Sequence, residues 1–247
     1  MAEGSARGAP APQAAEGPVV VMKRYEKKYI LTPEQTEAFR QGLEGRMQAD
    51  HFGRTSIQSL YYDTPNFRLI RASVEKPAFK EKIRLRSYGP ATDESPVYLE
   101  LKRKAYGIVY KRRVQTTIPQ AERFFGGEAE ICAGGQINRE ITYFRDLYRD
   151  LAPACLIITE RTAYFEPGGD LRLTIDENPR FRTGDLDLRA PLTGTALLPA
   201  GATILEIKVQ EAMPLWLSAL LDREKIYLAS YSKYGEAYRR QVLGAGA

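Results

Sequence analysis

Cations recur at every second position in Lys80-Glu81-Lys82-Ile83-Arg84-Leu85-Arg86. In an extended strand that spacing projects Lys80, Lys82, Arg84 and Arg86 from one side and leaves Phe79, Ile83 and Leu85 on the other. Further segments carry Glu-x-Lys within apolar-alternating stretches: Glu26-x-Lys28 in RYEKKYIL, Glu100-x-Lys102 in VYLELKRK and Glu206-x-Lys208 in ILEIKV. Carboxylate and ammonium share a face in each, and in the last two the opposite face is apolar, with Val97, Leu99 and Leu101 or Leu205, Ile207 and Val209. Guanidinium and ammonium groups grip phosphate oxygens, while carboxylates hold Mg²⁺ or Mn²⁺, so the pairing suits a polyanion bound together with a metal ion.

One face of such strands must be covered. Either the charges face bulk water and helices cover the apolar side, or the sheet closes with its charges lining the interior. A lone amphipathic strand fits the first arrangement. Repetition of the same pairing in distant strands favours the second, and Ile108–Ile118 extends it, with Lys111 and Arg113 on one face and Tyr110, Arg112 and Val114 on the other.

The elements that would position these side chains can be read in order. A first strand runs from Val19 to Leu31, and Thr32-Pro33-Glu34-Gln35 supplies an N-cap, a helical-start proline and a capping-box Gln for a helix to about Met47. Ala38, Phe39, Leu43 and Met47 recur on it at helical spacing. A strand follows over Ser56–Asp63, a short helix over Phe67–Val74, then the cationic strand and its hairpin partner Val97–Lys104. Residues 120–152 read as helical with two glycine-rich interruptions. Strands return at Cys155–Phe165, Leu171–Asp176 and Ala202–Val209, with Arg172, Thr174 and Asp176 on one face of the second. A helix over Met213–Arg223 places Trp216 in packing, and Lys233 opens a last helix. The pattern predicts an α+β fold: an eight-stranded antiparallel β-barrel with covering helices, formed as a single domain over residues 19–243 behind an Ala/Gly/Pro-rich disordered tail over residues 1–18.

Composition narrows the chemistry. A chain of 247 residues can bury a substantial core, and a formal charge of +5 permits an anionic partner without selecting one. Cys132 and Cys155 make no disulfide framework or zinc pattern, and His51 is the single histidine, which leaves histidine-based catalysis one isolated candidate. No Walker A loop, GxGxxG, GxSxG or HExxH occurs. No apolar run reaches the ~18–20 residues of a membrane helix, and no secretory signal is found, so the expected location is cytoplasmic. Lys27, Lys80, Lys104, Arg112 and the Glu81–Lys82 neighbours read as solvated surface charges. The tyrosines sit mostly among apolar positions, which speaks against a base-stacking platform and against nucleic acid as partner.

The ordered set RYEKKYIL, SLYYDTPN, KIRLRSYG, VYLELKRK, YKRRV, ERTAYF, RLTIDEN, ILEIKV and SKYGEAY resembles the polyphosphate polymerase domain of the vacuolar transporter chaperone (VTC) complex and its bacterial relatives, within the CYTH-like triphosphate tunnel metalloenzyme superfamily. The resemblance covers about residues 22 to 240. It implies a tunnel in which basic residues hold a triphosphate chain and a wall carboxylate holds a divalent metal, Mn²⁺ or Mg²⁺. Carried over position by position, it implies Lys28, Arg84, Arg86, Lys102, Lys111, Arg161 and Lys233 as phosphate ligands, with Arg84, Arg86, Lys102 and Arg161 nearest the chemistry, and Glu206 on the metal. Strand parity adds Lys82, Arg113 and Lys208, and Ser232 precedes Lys233 as a hydroxyl donor.

The implied activity is transfer of the γ-phosphoryl group of ATP to a growing inorganic polyphosphate chain. One feature departs from the superfamily's hydrolases: in place of an ExExK strand this chain has Arg24-Tyr25-Glu26-Lys27-Lys28, with one of the two motif carboxylates. Fewer metal-binding carboxylates suit a long anionic product and speak against two-metal hydrolysis. The same residues leave two other readings open, a tripolyphosphate or nucleoside triphosphate hydrolase and a polyphosphate- or nucleotide-sensing module without turnover. Any membrane partner would be a separate chain.

Overall fold

The structure is a computed structural model that describes residues 25–75, 77–106, 108–132, 134–210, 212–242 and 244. The tail expected over 1–18 and the start of the first strand lie outside the described residues. The strands are β1 (Tyr25–Leu31), β2 (Gln48–Asp63), β3 (Phe79–Tyr88), β4 (Val97–Ala105), β5 (Ile108–Thr116), β6 (Ala152–Phe165), β7 (Arg172–Arg182), β8 (Thr195–Ala196) and β9 (Thr203–Val209). The helices are α1 (Pro33–Leu43), α2 (Arg68–Val74), α3 (Ile118–Phe125), α4 (Gly135–Leu147), α5 (Leu215–Arg223) and α6 (Lys233–Val242). The class is α+β, as expected.

All strands join one antiparallel sheet in the order β1-β9-β7-β6-β2-β3-β4-β5, with β8 paired to β7. Alternation decides which face each residue takes. In β3, Glu81, Ile83 and Leu85 are buried on the covered side, while Lys82 and Arg84 lie half-buried on the other. The covered face holds two cores. Ile83, Leu85, Leu99, Leu101, Leu156 and Ile158 pack with Phe124 of α3 and Ile141 and Phe144 of α4. Leu31, Leu173, Leu205 and Ile207 pack with Phe39 and Leu43 of α1 and Leu217 of α5. Trp216 packs against this second core, with Arg46 over its ring at 5.0 Å.

The opposite face is concave and carries the charges. β4 and β1 stand near opposite ends of the strand order, yet Lys102 Nζ lies 3.3 Å from Glu26 Oε2, so the sheet curls round on itself. At one end α2 and α6 fill the interior, where Ile70, Tyr234 and Ala237 meet Cys155, Ile157 and Phe181.

Closure is where the fold differs from a complete barrel. No backbone ladder joins β1 to β5 among the described residues, and the Lys102–Glu26 ion pair links β1 to β4, the strand next to the β5 edge. Both edges are dense in cations, Lys27 and Lys28 on β1 and Lys111, Arg112 and Arg113 on β5, and charged edge strands resist pairing.

Element ends shift for local reasons. α1 has the expected capping box at Thr32 and Gln35 but stops at Leu43, because Gly45 enters the left-handed region (φ 72°); Met47 is buried without being helical. β2 begins at Gln48 instead of Ser56. Its polar first half lacks alternation but pairs with the end of β6 across a register shift between Ala49 and Arg54. β7 extends to Arg182 past a register shift opposite Ile158 and Glu160, with Asn178 in the left-handed region at φ 46°.

Candidate functional site

The concave face can be assembled strand by strand from the register. Glu26 and Lys28 of β1 lie opposite Lys208 and Glu206 of β9, which in turn face Arg172 and Thr174 of β7. Asp176 of β7 faces Arg161 of β6. Across the interior, Lys82, Arg84 and Arg86 of β3 face Lys102, Glu100 and Tyr98 of β4, and Glu100 and Lys102 face Arg113 and Lys111 of β5. Lys233 and Ser232 enter from the start of α6: Lys233 pairs with Asp176, and Ser232 Oγ accepts from Lys82 Nζ at 3.2 Å. Every site residue expected from the sequence thus lies on, or reaches, one face of the sheet.

Two buried carboxylates organise the cations. Glu100 is 2% exposed and accepts from Arg84 Nε at 2.8 Å. Lys111 Nζ stands 2.8 Å from its Oε1, and Arg86 and Arg113 each come within 3.7 Å. Burial alone would raise the Glu100 pKa, but Arg84, Arg86 and Lys111 outweigh it and hold the carboxyl well below the usual range. Asp176, 1% exposed, accepts a bidentate pair from Arg161 at 2.5 and 2.7 Å and the Lys233 ammonium. There too burial is overcome, by Lys233 and Arg161, and the pKa falls.

The remaining basic groups share fewer carboxylates. Lys208 pairs with Glu206 at 3.0 Å, and Lys28 and Lys102 share Glu26 at 3.6 and 3.3 Å. Among the described residues Lys82 has no carboxylate partner; burial, together with Lys28, Lys80 and Lys102, brings its pKa down to about 8 even though Tyr61 acts in the opposite direction. On this face basic side chains far outnumber carboxylates. Such an interior attracts a flexible polyanion.

The VTC domain family matches the chain over residues 23–242. The chain belongs to the VTC domain family. Its fold is similar to that of a candidate adenylate cyclase from Bacillus halodurans, at 14% identity and a TM-score of 0.52, covering 85% of this chain and 96% of that one. A candidate adenylate cyclase from Vibrio parahaemolyticus is similar at 12% identity and a TM-score of 0.49, covering 87% of this chain and 98% of the other. No curated protein matches the chain.

In this VTC domain several residues on the charged face escaped the sequence reading as site members. Glu100 and Asp176 were visible by parity, two positions from Lys102 and Thr174 respectively, but a carboxylate amid cations reads as a surface pair until its burial is known. Tyr61 lies opposite Arg84 and packs against the interior cluster of Ile70, Cys155 and Tyr234, the apolar setting expected of the tyrosines, but its hydroxyl accepts from Arg84 on the charged side. Glu81 is not a surface charge: it is 4% exposed on the covered face, accepts from Tyr148 Oη at 2.9 Å and pairs with Arg103. Arg112 points to the same side, as parity predicts, and is held bidentately by Glu140 of α4 at 2.8 and 3.0 Å instead of standing in water. Lys80 is half-buried and donates to the Ser73 carbonyl at 3.4 Å. Lys27 and Lys104 are exposed. His51 sits on β2 with its ring 3.8 Å from that of Phe52, away from the charged face's chemistry.

The residues around Glu206 suit a divalent ion. Glu26 lies near Glu206, two positions along the β1–β9 register, and Thr174, opposite Glu206 on β7, has a buried Oγ1 without a hydrogen-bond partner among the described residues. Among the described residues no group of three or more His, Cys, Asp or Glu side chains converges, so protein oxygens would fill only part of an ion's shell. That is the habit of Mg²⁺, which keeps water and substrate phosphate oxygens. No helix among the described residues is long and apolar enough to cross a membrane.

Proposed function

We propose that this VTC domain is an ATP-dependent polyphosphate polymerase acting in the cytoplasm, as a single domain over residues 19–243. The observation that carries this reading is the excess of cations over carboxylates on one concave face, which suits a chain of many phosphates better than a single compact anion.

In the reaction a terminal oxygen of the polyphosphate attacks the γ-phosphorus of ATP, the bond from that phosphorus to the β–γ bridging oxygen breaks, and ADP departs. The acceptor oxygen is already ionised, so no side-chain base or nucleophile is needed. Arg84, Arg86, Lys102 and Arg161 hold the transferring group and neutralise the charge that spreads over its oxygens. Lys28, Lys82, Lys111, Arg113, Lys208, Ser232 and Lys233 seat the flanking phosphates. Glu206, with Glu26 and Thr174 beside it, would hold a divalent ion, Mn²⁺ or Mg²⁺, whose contribution is further neutralisation of phosphate charge. Glu100 and Asp176 keep the guanidinium groups aligned when no phosphate is present. A membrane-bound partner, where one exists, would be a separate chain.

The test is to incubate purified protein with ATP and Mn²⁺, resolve the product on a polyphosphate gel and assay free phosphate alongside an Arg84→Ala control. A phosphatase-resistant ladder that the variant does not make supports the polymerase. Free phosphate alone would mean a hydrolase, and nucleotide or polyphosphate binding without product would mean a sensor.

A further inference from the structure

Tyr61 and Tyr234 are stacked, with ring centroids 4.6 Å apart and planes at 23°, yet their hydroxyl groups serve different ends. Tyr234 donates to Asp63 Oδ2 at 2.9 Å, and Asp63 also accepts from the backbone N–H groups of Leu69 and Ile70 at 2.9 and 3.0 Å. That proton is committed to holding α6 against the start of α2. The Tyr61 hydroxyl instead accepts from Arg84 Nη1 at 2.9 Å, and among the described residues no acceptor takes its own proton.

We infer that Tyr61 is a further anion-binding residue of the charged face, its hydroxyl donating to an oxygen of the bound polyphosphate alongside Arg84. The inference rests on the polyphosphate reading above. Geometry carries it: β2 places Tyr61 directly opposite Arg84, stacking on Tyr234 fixes the ring, and the guanidinium occupies the lone pair that would otherwise compete. A hydroxyl that already accepts from a cation is a stronger donor, because hydrogen bonds in a chain polarise one another. A phenol also supplies direction, which the ammonium groups nearby do not.

The groups facing Tyr61 are Lys82, Arg84 and Arg86 from β3, Tyr234 from α6 and Cys155 from β6, with Glu100 behind Arg84. Burial alone would push the phenol up, but Arg84, Lys82 and Arg86 bring it down to about 8. In the free protein the hydroxyl therefore ionises within reach of ordinary buffers. A phosphate oxygen beside it opposes that ionisation and keeps the proton in place.

The experiment compares the full-length wild type with Tyr61→Phe, which keeps the ring and its stacking, using inorganic tripolyphosphate as probe. Calorimetric affinity is measured from pH 7 to pH 9, and phenolate is followed by its ultraviolet difference absorbance with and without tripolyphosphate. We expect Y61F to bind about tenfold more weakly at pH 7, the loss of one hydrogen bond to a charged acceptor. A phenolate signal near pH 8 should be present in the wild type, absent in Y61F, and moved to higher pH by tripolyphosphate. Wild-type binding that Y61F reproduces in strength and pH dependence, with a phenolate titration that tripolyphosphate leaves in place, overturns the role of Tyr61 alone. Absence of tripolyphosphate binding by the wild type overturns both this inference and the reading it rests on.

Discussion

Arg84 and Glu100 face one another across the β3–β4 ladder, and the guanidinium Nε donates to the carboxylate at 2.8 Å. Glu100 also meets Lys111, Arg86 and Arg113, so one buried carboxylate stands where a phosphate group would otherwise compensate the same cations. Glu100→Gln should therefore weaken the ligand-free protein and strengthen the effect of ligand. Leaving buried cations uncompensated costs on the order of 2 kcal/mol here, since Lys111 and Arg113 keep solvent. In a domain of this size that lowers Tm by about 4–8 °C. Scanning calorimetry should also find a larger rise in Tm with tripolyphosphate for E100Q than for wild type. An unchanged Tm would mean that Glu100 does not organise this cluster.

Arg84 and Arg112 occupy opposite faces of the sheet. If the proposed polymerase reading holds, Arg84→Ala removes a charge-assisted contact to the transferring group and should lower turnover about a hundredfold. Arg112→Ala loses its pair with Glu140 and should cost stability, on the order of 1 kcal/mol, while turnover of the folded protein stays within about twofold. Steady-state polymer synthesis by the two variants decides this, and equal losses would contradict the division of faces.

Acid should unfold the protein through Glu100 and Asp176. Both carboxyl groups have folded-state pKa values below their ordinary ones, so their stabilisation is present above the ordinary carboxylate pKa of ~4 and is lost as pH falls through the folded values. Tm measured against pH should drop steeply below about pH 4 in the wild type and less steeply in E100Q. Parallel curves would remove Glu100 from the account.

Ligand binding near pH 8 should take up protons. Lys82 is partly neutral there because burial and Lys28, Lys80 and Lys102 disfavour its charge, and a polyanion restores it. Titration calorimetry of tripolyphosphate in buffers of different ionisation enthalpy should show the uptake, reduced in Lys82→Met. Identical proton counts for the two proteins would place the titrating group elsewhere.

Alternation made much of the site legible in the sequence. Because side chains in a strand have a period of two, Lys82, Arg84 and Arg86 had to share a side whatever the tertiary fold, and the register brings them opposite Lys102 and Glu100. Burial was harder to read. Glu81 and Glu100 both lie within a run of charge, yet one is enclosed under α4 with Tyr148 and Arg103 and the other stands among the site cations. Only long-range packing distinguishes them. Tyr61 was missed for a related reason, since nothing local indicates that β2 will lie beside the cationic strand. The open seam is a property of two edges far apart in the chain: the cations of β1 and of β5 are each visible locally, but that the two strands end up as opposing edges is not.

That seam has a topological consequence. A sealed pipe can be filled only from its ends, so any strand within it must be threaded, and one carrying a bulky group at both ends could never enter. Between β1 and β5 no ladder closes the wall among the described residues, and the Lys102–Glu26 pair, from β4 to β1, is a removable strut beside the gap. A polymer could be laid in from the side and lifted out the same way. Polyphosphate blocked at both termini with bulky groups should then still bind; its exclusion, with unblocked chains retained, would mean that the strut stays shut.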